Sequence, residues 1–421
     1  MNDRAAQRVA IVGLGYVGLP IALRSVEAGY TVLAVEVDQG RFTMLVDGHS
    51  YVEDISDREL ADASATGRFH VVSSIAAVEY FDIALIAVPT PLREGVPDLT
   101  YVIEAATELG KLLREGGCVV LESTTYPGTT EDVVVPVLEA ESGMSRDRFL
   151  AGFSPERIDP GNKTWTLATT PKIVSGIDQP SLDRIATFYA SIVDTVIRSS
   201  SPKVAELAKL LENTYRHVNI ALVNELAIFA AQLGIDIWEV VDVAASKPFG
   251  FHKFTPGPGV GGHCLPIDPS YLSWQVRRQL GHPFRFVELA NDINEHMPDY
   301  VVSRIQRSLN KLHKSVNGAR ILVLGLAYKK NSGDARESPA VRVAELLAEL
   351  GADLRAADPL VSTSTAVAGT RVLATVEELA AADLVVVLTD HDMFDWPAVV
   401  ANSKAIFDTR NRLRAEHVER I

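Results

Sequence analysis

The sequence predicts an α/β protein with two doubly wound, Rossmann-like units that are joined by a long central helix and a helical linker region. Three observations lead to this prediction. A short apolar strand and a glycine-rich turn occupy residues 8–18, one long helical pattern spans residues 201–234, and a second strand, loop and helix pattern begins at residue 320. A glycine-rich turn between a strand and a helix is typical of dinucleotide-binding folds. The chain is also too long for one ordinary core, so we expect two or three domains.

The composition narrows the class of protein. Of 421 residues, 47% are hydrophobic and 22% are charged, as in soluble globular proteins. Two cysteines argue against a disulfide scaffold, and neither a signal-type segment nor an apolar run of about 18 residues is visible, so we expect a soluble cytoplasmic protein without membrane contact. A net charge of -14 makes nucleic acid an improbable partner, but it allows an anionic small substrate that a few local cations would bind.

The first strand, residues 8–12, is followed by a glycine turn, a helical segment and a second strand that ends at Glu36. The turn residues predicted to contact a dinucleotide are Gly13, Gly15, Tyr16, Val17 and Gly18. The pyrophosphate would lie on the helix N-terminus, and Glu36 would accept from the adenosine ribose hydroxyls. A carboxylate there repels a 2′-phosphate, so NAD is favoured as the cofactor. Arg41 is a nearby cation, so NADP is not excluded.

Two further strands are predicted at residues 83–88 and 118–121. Pro89 and Thr90 follow the first of them and Thr124 follows the second, at strand ends where ligands bind in open α/β sheets. Cys118 lies within its apolar strand and is predicted to be core. After another short strand, the segment 153–157 places Glu156 beside Arg157.

The long helix has Ser201 as a plausible N-cap, Pro202 at its first position and Gly234 as its C-terminal cap. Lys209 and Asn213 are four residues apart and therefore project from one face. Periodicity alone leaves open that they are a solvated lysine and an ordinary surface amide. The apolar surface of this helix includes Leu207, Leu211 and Leu222, and its apolar second half predicts a location between domains or subunits.

The loop at residues 257–269 places Cys264 among glycines and ends in Asp268. A lone cysteine in a loop is more often buried and inert, but a thiol together with a hydride acceptor indicates aldehyde-level oxidation through a covalent intermediate. His263 lacks partners at ligand spacing, so we expect no metal. In the second α/β unit a loop at residues 328–339 contains Lys329 and Arg336, which are either solvated or bind an anion.

Taken together, these segments resemble the UDP-glucose/GDP-mannose dehydrogenase family over nearly the whole chain. The matching pieces are the glycine turn, residues 88–91, 122–124 and 154–156, Lys209 with Asn213, the cysteine loop and the 329–339 loop. The resemblance implies an NAD-binding domain at 1–200, a central helical dimerisation and linker domain with the cysteine loop at 201–300, and a UDP-sugar-binding domain at 301–421. It also implies a homodimer or larger homo-oligomer that uses two NAD and one water to oxidise a sugar C6 alcohol to a carboxylate.

The resemblance further implies roles for individual residues. By this resemblance, Cys264 forms a thiohemiacetal and then a thioester, and Lys209 and Asn213 stabilise the oxyanion. Asp268 with Thr124 positions water, and Glu156 is the base for hydrolysis. The residues expected to contact substrate are Glu156, Arg157, Lys209, Asn213, Phe254, Gly261 and Lys329. Pro89, Thr90 and Thr124 are expected to contact the cofactor, as is Arg336, which reaches the active site or the cofactor across a subunit boundary.

The prediction of the substrate depends mainly on one position at which this chain differs from the family pattern. UDP-glucose enzymes of the family commonly carry a second acid four residues after the position of Glu156, where this chain has Pro160. The surrounding sequence resembles the branch that acts on UDP-N-acetylhexosamines. Within that branch it resembles the UDP-N-acetylglucosamine enzymes more than the UDP-N-acetylmannosamine enzymes. Two other classes stay open: a two-electron NAD dehydrogenase of a hydroxyacid, and a nucleotide-sugar-binding protein without turnover.

Overall fold

The computed structural model describes residues 4–52, 54–93, 95–159, 162, 164–262, 265 and 267–421. The chain divides into two compact units. The first comprises Met1–Glu212 and Trp274–Leu280, and the second comprises Asn213–Ser273 and Gly281–Ile421. Within the described part of the chain, no helix is long and apolar enough to cross a membrane.

The first unit is a doubly wound sheet. Its strands are β1 (Arg8–Val12), β2 (Thr31–Val35), β3 (Phe69–Val72), β4 (Ile83–Ile86), β5 (Leu92–Arg93), β6 (Val96–Pro97), β7 (Cys118–Leu121), β8 (Leu150–Phe153), β9 (Lys172–Gly176) and β10 (Val196–Arg198). Its helices are α1 (Gly18–Glu27), α2 (Gln39–Val46), α3 (Asp57–Ala65), α4 (Thr100–Leu112), α5 (Val135–Ser142) and α6 (Gln179–Tyr189), with 3₁₀ turns at Arg4–Ala6, Ile75–Ala77 and Arg146–Arg148 and a π-helical turn at Thr130–Val134.

The described strands of the main sheet lie in the order β10-β9-β8-β7-β4-β1-β2-β3, and β5 pairs with β6 in a separate antiparallel hairpin. All neighbours in the main sheet are parallel except β8 and β9. Both faces are covered, since Val9 and Ile11 of β1 enter one core cluster while Ala10 and Val12 enter another. Such a continuous apolar strand is typical of parallel sheets with helices on both sides.

The long helix α7 (Pro202–Leu233) runs from the first unit into the second. Its 32 residues span about 48 Å at 1.5 Å per residue. The Ser201 hydroxyl accepts a hydrogen bond from the Val204 N–H at 3.3 Å, and Gly234 follows with a φ of 71°. Both predicted ends of the helix are confirmed. The next helices are α8 (Ile237–Ala245), α9 (Asp268–Leu280) and α10 (Arg285–Lys311).

The second unit repeats the doubly wound topology. Its strands are β11 (Arg320–Leu324), β12 (Asp353–Ala357), β13 (Thr370–Arg371), β14 (Leu384–Val387), β15 (Ile406–Asp408) and β16 (Val418–Arg420), and its later helices are α11 (Pro339–Glu349), α12 (Val376–Ala381) and α13 (Trp396–Asn402). The described strands are all parallel, in the order β13-β12-β11-β14-β15-β16. Strand order reverses between β11 and β14, as in dinucleotide-binding folds. The predicted fold class is confirmed.

One predicted strand is shorter in the structure: the strand expected at residues 83–88 ends at Ile86. The three-domain division at residues 200 and 300 stays a prediction.

Candidate active site

The glycine turn after β1 has the steric requirements of a phosphate-binding loop. Gly13 has a φ of 91°, and a Cβ there would lie 2.6 Å from the Ala87 carbonyl oxygen, while a Cβ on Gly18 would lie 1.9 Å from the Gly13 oxygen. Gly15 has no such neighbour within 4 Å, so its backbone is open to a ligand. The partly buried Tyr16 and Val17 complete the turn before α1.

Glu36 directly follows β2 and is buried, with its carboxylate fixed by two neighbours. One oxygen accepts from the Asp38 N–H at 3.0 Å and the other from the Tyr51 hydroxyl at 3.0 Å. The hydroxyl also lies 2.9 Å from the Leu14 carbonyl, and the Arg41 guanidinium stands 5.2 Å from the Tyr51 ring centroid. Burial and the Glu36 charge hold the pKa of Tyr51 far above its usual value. A glycine turn beside an oriented carboxylate fits the pyrophosphate and adenosine ribose of NAD.

The loops after β4 and β7 are tied together at the carboxyl edge of the sheet. The Thr90 hydroxyl donates to the Thr124 carbonyl at 2.9 Å, and the Ser123 hydroxyl donates to the Val88 carbonyl at 2.7 Å. Pro89 is exposed between them. The structure therefore brings the predicted residues Thr90 and Thr124 together.

Glu156 follows β8, and its two carboxylate oxygens have different surroundings. Oε1 accepts from the Arg157 N–H at 2.5 Å and from the Ile158 N–H. Oε2 is buried and lies 3.7 Å from the Lys172 ammonium. The Arg157 guanidinium binds both oxygens of Glu212, at 3.2 and 2.8 Å. To make its predicted contact with substrate, it would have to bind the substrate and Glu212 together.

The predicted oxyanion residues lie on α7, one turn apart. Lys209 is 8% exposed, so the alternative of a solvated surface lysine is wrong. In the second unit the Asn213 amide nitrogen donates to Asp268 Oδ2 at 2.5 Å, and Asp268 is 4% exposed at the first position of α9. Asn213 and Asp268 are thus paired at the end of the cysteine loop. Cys264 and His263 lie outside the described residues.

A buried polar network, which the sequence did not reveal, supports the start of the cysteine loop. The Asn224 side-chain oxygen accepts from the Gly257 N–H at 3.0 Å, and the Asn224 amide nitrogen donates to Asn294 at 2.9 Å. His217 lies 2.7 Å from Asn291 Oδ1 and is buried, which lowers its pKa. The only sequence signal is that these polar residues interrupt the apolar faces of α7 and α10.

The cysteine loop packs against the 328–339 loop within the second unit. A Cβ on Gly261 would lie 2.5 Å from the Glu337 carbonyl oxygen, and the Gly262 N–H donates to the Arg336 carbonyl at 3.2 Å. The Arg336 guanidinium pairs with Asp334 at 2.6 Å, and Lys329 is partly buried. The cysteine loop and the 328–339 loop, which the sequence separately predicts to be functional, are therefore in contact.

An aromatic group lies ahead of this loop. The Phe254 ring centroid is 5.9 Å from that of Tyr215, whose hydroxyl lies 2.6 Å from His252 Nδ1. Phe254 is only partly buried.

Two doubly wound units, with an open glycine turn and a ribose-directed carboxylate in the first, define an NAD-dependent oxidoreductase. Three models of one family match successive parts of the chain: the NAD binding domain at residues 7–193, the central domain at 203–296 and the UDP binding domain at 322–415. The chain belongs to the UDP-glucose/GDP-mannose dehydrogenase family and is an NAD-dependent UDP-sugar 6-dehydrogenase.

Individual relatives show the range of likeness. The chain is 39% identical over 364 residues to UDP-N-acetyl-D-glucosamine 6-dehydrogenase of Pseudomonas aeruginosa, covering 85% of this chain and 84% of that one. It is 33% identical over 419 residues to UDP-N-acetyl-D-mannosamine dehydrogenase of Pyrococcus horikoshii, covering 97% and 96%. A solved UDP-D-ManNAc dehydrogenase structure from Pyrococcus horikoshii superposes with a TM-score of 0.89 at 31% identity, covering 99% of each chain.

Proposed function

We propose that this enzyme oxidises C6 of UDP-N-acetylglucosamine to the uronic acid through a covalent Cys264 intermediate. The observation that supports the proposal is the 2.5 Å contact between Asn213 and the buried Asp268, where the cysteine loop ends and α9 begins. The amide fixes the orientation of this buried carboxylate. A carboxylate fixed beside a thiol-bearing loop can orient a water or a substrate hydroxyl.

The roles of the residues follow from their chemistry. NAD, when bound at the glycine turn, accepts the hydride in each of the two oxidation steps. The Cys264 thiolate adds to the aldehyde carbon, and the carbonyl oxygen becomes an oxyanion that the Lys209 ammonium and Asn213 amide would stabilise by roughly 3 kcal/mol per donor. After the second oxidation the C6 carbon is a thioester. Water, oriented by Asp268 with Thr124 and with Glu156 as its base, then releases the carboxylate.

The choice of N-acetylglucosamine has two supports. Pro160 replaces the second acid expected of a glucose enzyme, and the Pseudomonas aeruginosa relative has the higher identity of the two compared above. The mannosamine relative covers more of the chain, so UDP-N-acetylmannosamine is the second candidate. Pro160 lies outside the described residues. A pocket with amide partners for an acetamido group would leave them unpaired with glucose, at a cost of about 1–3 kcal/mol.

A panel of UDP-sugars tests substrate and reaction together. Purified enzyme is mixed with NAD and limiting UDP-N-acetylglucosamine, UDP-N-acetylmannosamine or UDP-glucose, and NADH is counted per sugar. We expect about two NADH per sugar and a kcat/KM for the glucosamine substrate at least roughly tenfold above glucose. A higher kcat/KM for the mannosamine substrate would reverse the substrate assignment, and one NADH per sugar would identify a two-electron dehydrogenase.

The two cysteines supply a matched pair of variants for the covalent step. Cys264→Ser should stop the reaction before the thioester, because a serine hydroxyl is far less ionised than a thiol at neutral pH. Cys118→Ala serves as the control, since Cys118 is fully buried in β7. Intact-protein mass spectrometry should detect the adduct in the control and not in Cys264→Ser. Full carboxylate production by Cys264→Ser would exclude the covalent mechanism.

We also propose that the enzyme is a homo-oligomer of the cytoplasm, where a reducing environment keeps a catalytic thiol free. Within the second unit α7 exposes a stripe of large apolar side chains at helical spacing, namely Leu222, Leu226, Phe229 and Leu233. Such a stripe is typical of a subunit interface. Sedimentation of the wild type and of Phe229→Glu tests this, and a wild-type monomer at micromolar concentration would contradict it.

A further inference from the structure

A buried group of charged side chains lies beside Glu156 in the first unit. Lys172 is the first residue of β9, which runs antiparallel to β8, so its side chain reaches the edge of the sheet where β7 and β8 end. The ammonium is 3% exposed and donates to Glu122 Oε2 at 2.7 Å and to the Pro155 carbonyl at 3.1 Å. Glu122 is the residue that directly follows β7. Lys172 is thus held by the ends of both strands.

Each carboxylate of the group is oriented by its own partners. The hydroxyl of the fully buried Tyr189, on α6, donates to Glu122 Oε1. Both oxygens of Glu122 are therefore hydrogen-bonded. Glu156 is fixed through Oε1 by two backbone N–H groups, while Oε2 accepts no hydrogen bond from a described residue and lies 3.7 Å from the Lys172 ammonium.

The charges of this group do not cancel. Two carboxylates share one ammonium, so the fully ionised group carries one negative charge where burial disfavours it. Burial raises the pKa of Glu122 to about 7, Lys172 opposes that rise and Glu156 adds to it. Among the described residues, the ionisable groups facing Glu122 are Lys172 from β9, Tyr189 from α6 and Glu156 from the loop after β8. Uptake of one proton makes the group neutral.

We propose that Lys172 and Glu122 are positioning residues for Glu156, which together fix its carboxylate and make it the proton acceptor in thioester hydrolysis. This inference rests on the proposed function, in which Glu156 is the base. In that step the water oxygen bonds to the thioester carbon, one water proton passes to the Glu156 carboxylate, and the carbon–sulfur bond breaks to leave the Cys264 thiolate. The second water proton stays on the new carboxyl group and then passes to solvent. Nothing is oxidised or reduced. The group changes from one negative charge to none as the proton arrives.

The test measures hydrolysis alone. Enzyme is mixed with NAD and substrate, quenched at intervals between pH 5 and 9, and the decay of the Cys264 adduct is followed by mass spectrometry. The hydrolysis rate should rise with pH as the buried group loses its proton, which gives the pH–rate profile an acidic limb. Glu122→Gln removes a negative charge and should shift this acidic limb down by about one pH unit. Lys172→Met removes the cation and should shift it up by about the same amount, while Lys172→Arg should restore the wild-type position.

Matched charge changes on the surface of the same unit are the controls. Glu79→Gln and Lys111→Met alter exposed residues and should leave the limb unchanged. If Lys172→Met does not fold, Glu122→Gln decides, because the glutamine carbonyl oxygen can still accept from Lys172 while its amide nitrogen donates to the Tyr189 hydroxyl oxygen. A slower rate with an unshifted limb in Glu122→Gln would overturn the positioning role while the adduct itself upholds the proposed function. Absence of any adduct in the wild type would overturn both.

Discussion

Replacing Glu36 with Ala should weaken NAD binding and reduce the preference of the enzyme for NAD over NADP. The carboxylate is already oriented, by the Asp38 N–H and the Tyr51 hydroxyl, with 3.0 Å to each donor. The bound ribose would therefore meet an acceptor that needs no reorganisation. A hydrogen bond to a charged group contributes about 1.5–3 kcal/mol. At about 1.4 kcal/mol per tenfold, the KM for NAD should rise roughly 10- to 100-fold.

The fold should tolerate this change. The single proton of the Tyr51 hydroxyl has a second acceptor, the Leu14 carbonyl at 2.9 Å, so the variant leaves no buried hydroxyl without a partner. The KM for NADP should rise less than that for NAD. Removal of the carboxylate also removes its repulsion of the 2′-phosphate, and Arg41 stays in place. The ratio of kcat/KM for NAD over NADP should then fall by roughly tenfold or more.

The assay is initial-rate NADH or NADPH formation at saturating UDP-sugar. Asp38→Ala is the matched control, since it removes an exposed acid of the same loop that caps α2 at a cost of about 1 kcal/mol of stability. Melting temperatures of both variants separate binding from folding. An unchanged NAD to NADP ratio in Glu36→Ala, or an equal change in Asp38→Ala, would refute the ribose assignment.

Two further predictions concern single buried groups. Iodoacetamide should label the native enzyme once per chain, at Cys264, because burial raises the pKa of Cys118 to about 12; peptide mapping that finds Cys118 labelled equally fast would contradict this. Burial alone would raise the pKa of Asp358, but hydrogen bonds from His391 and from backbone N–H groups hold it well below its usual value. This stabilisation is present above pH ~4 and is lost as pH falls towards the folded pKa. Asp358→Asn should therefore cost about 3 kcal/mol at pH 7 in urea unfolding, and less at pH 3; equal costs at both pH values would show that the charge is not involved.

Much of the fold could be predicted from local sequence because the local rules agree with the tertiary structure. β1 is continuously apolar since both of its faces are buried, and Gly13 and Gly18 sit where any Cβ would collide with backbone. The ends of α7 follow from a serine cap and a glycine with positive φ. These features depend on neighbours a few residues away, which a pattern records.

The buried polar groups could not be predicted in the same way. Lys172 opens an apolar strand, and its partner Glu122 lies 50 positions earlier in the chain. His217 and Asn224 on α7 meet asparagines of α10 that are 70 or more residues away. Their pairing depends on strand order and helix packing, which exist only in the folded chain. The sequence therefore indicated residues that carry family motifs, Glu122 among them, but neither Lys172 nor the pairings that hold the motif residues in place.

The turn after the first strand is occupied differently in the two units, although both have a doubly wound topology. Asp358 follows β12 as Glu36 follows β2, so the two acids occupy matching positions. In the first unit the carboxylate is bound by a side-chain hydroxyl and its own loop, and Gly15 remains open. In the second, Asp358 Oδ2 accepts from the Leu326 and Ala327 N–H groups at 2.6 and 3.1 Å. These N–H groups belong to the turn after β11, where a dinucleotide phosphate would bind in a fold of this order. The chain's own carboxylate already uses those donors, and Lys329 and Arg336 of the 328–339 loop, which contacts the cysteine loop, are cations elsewhere in this unit.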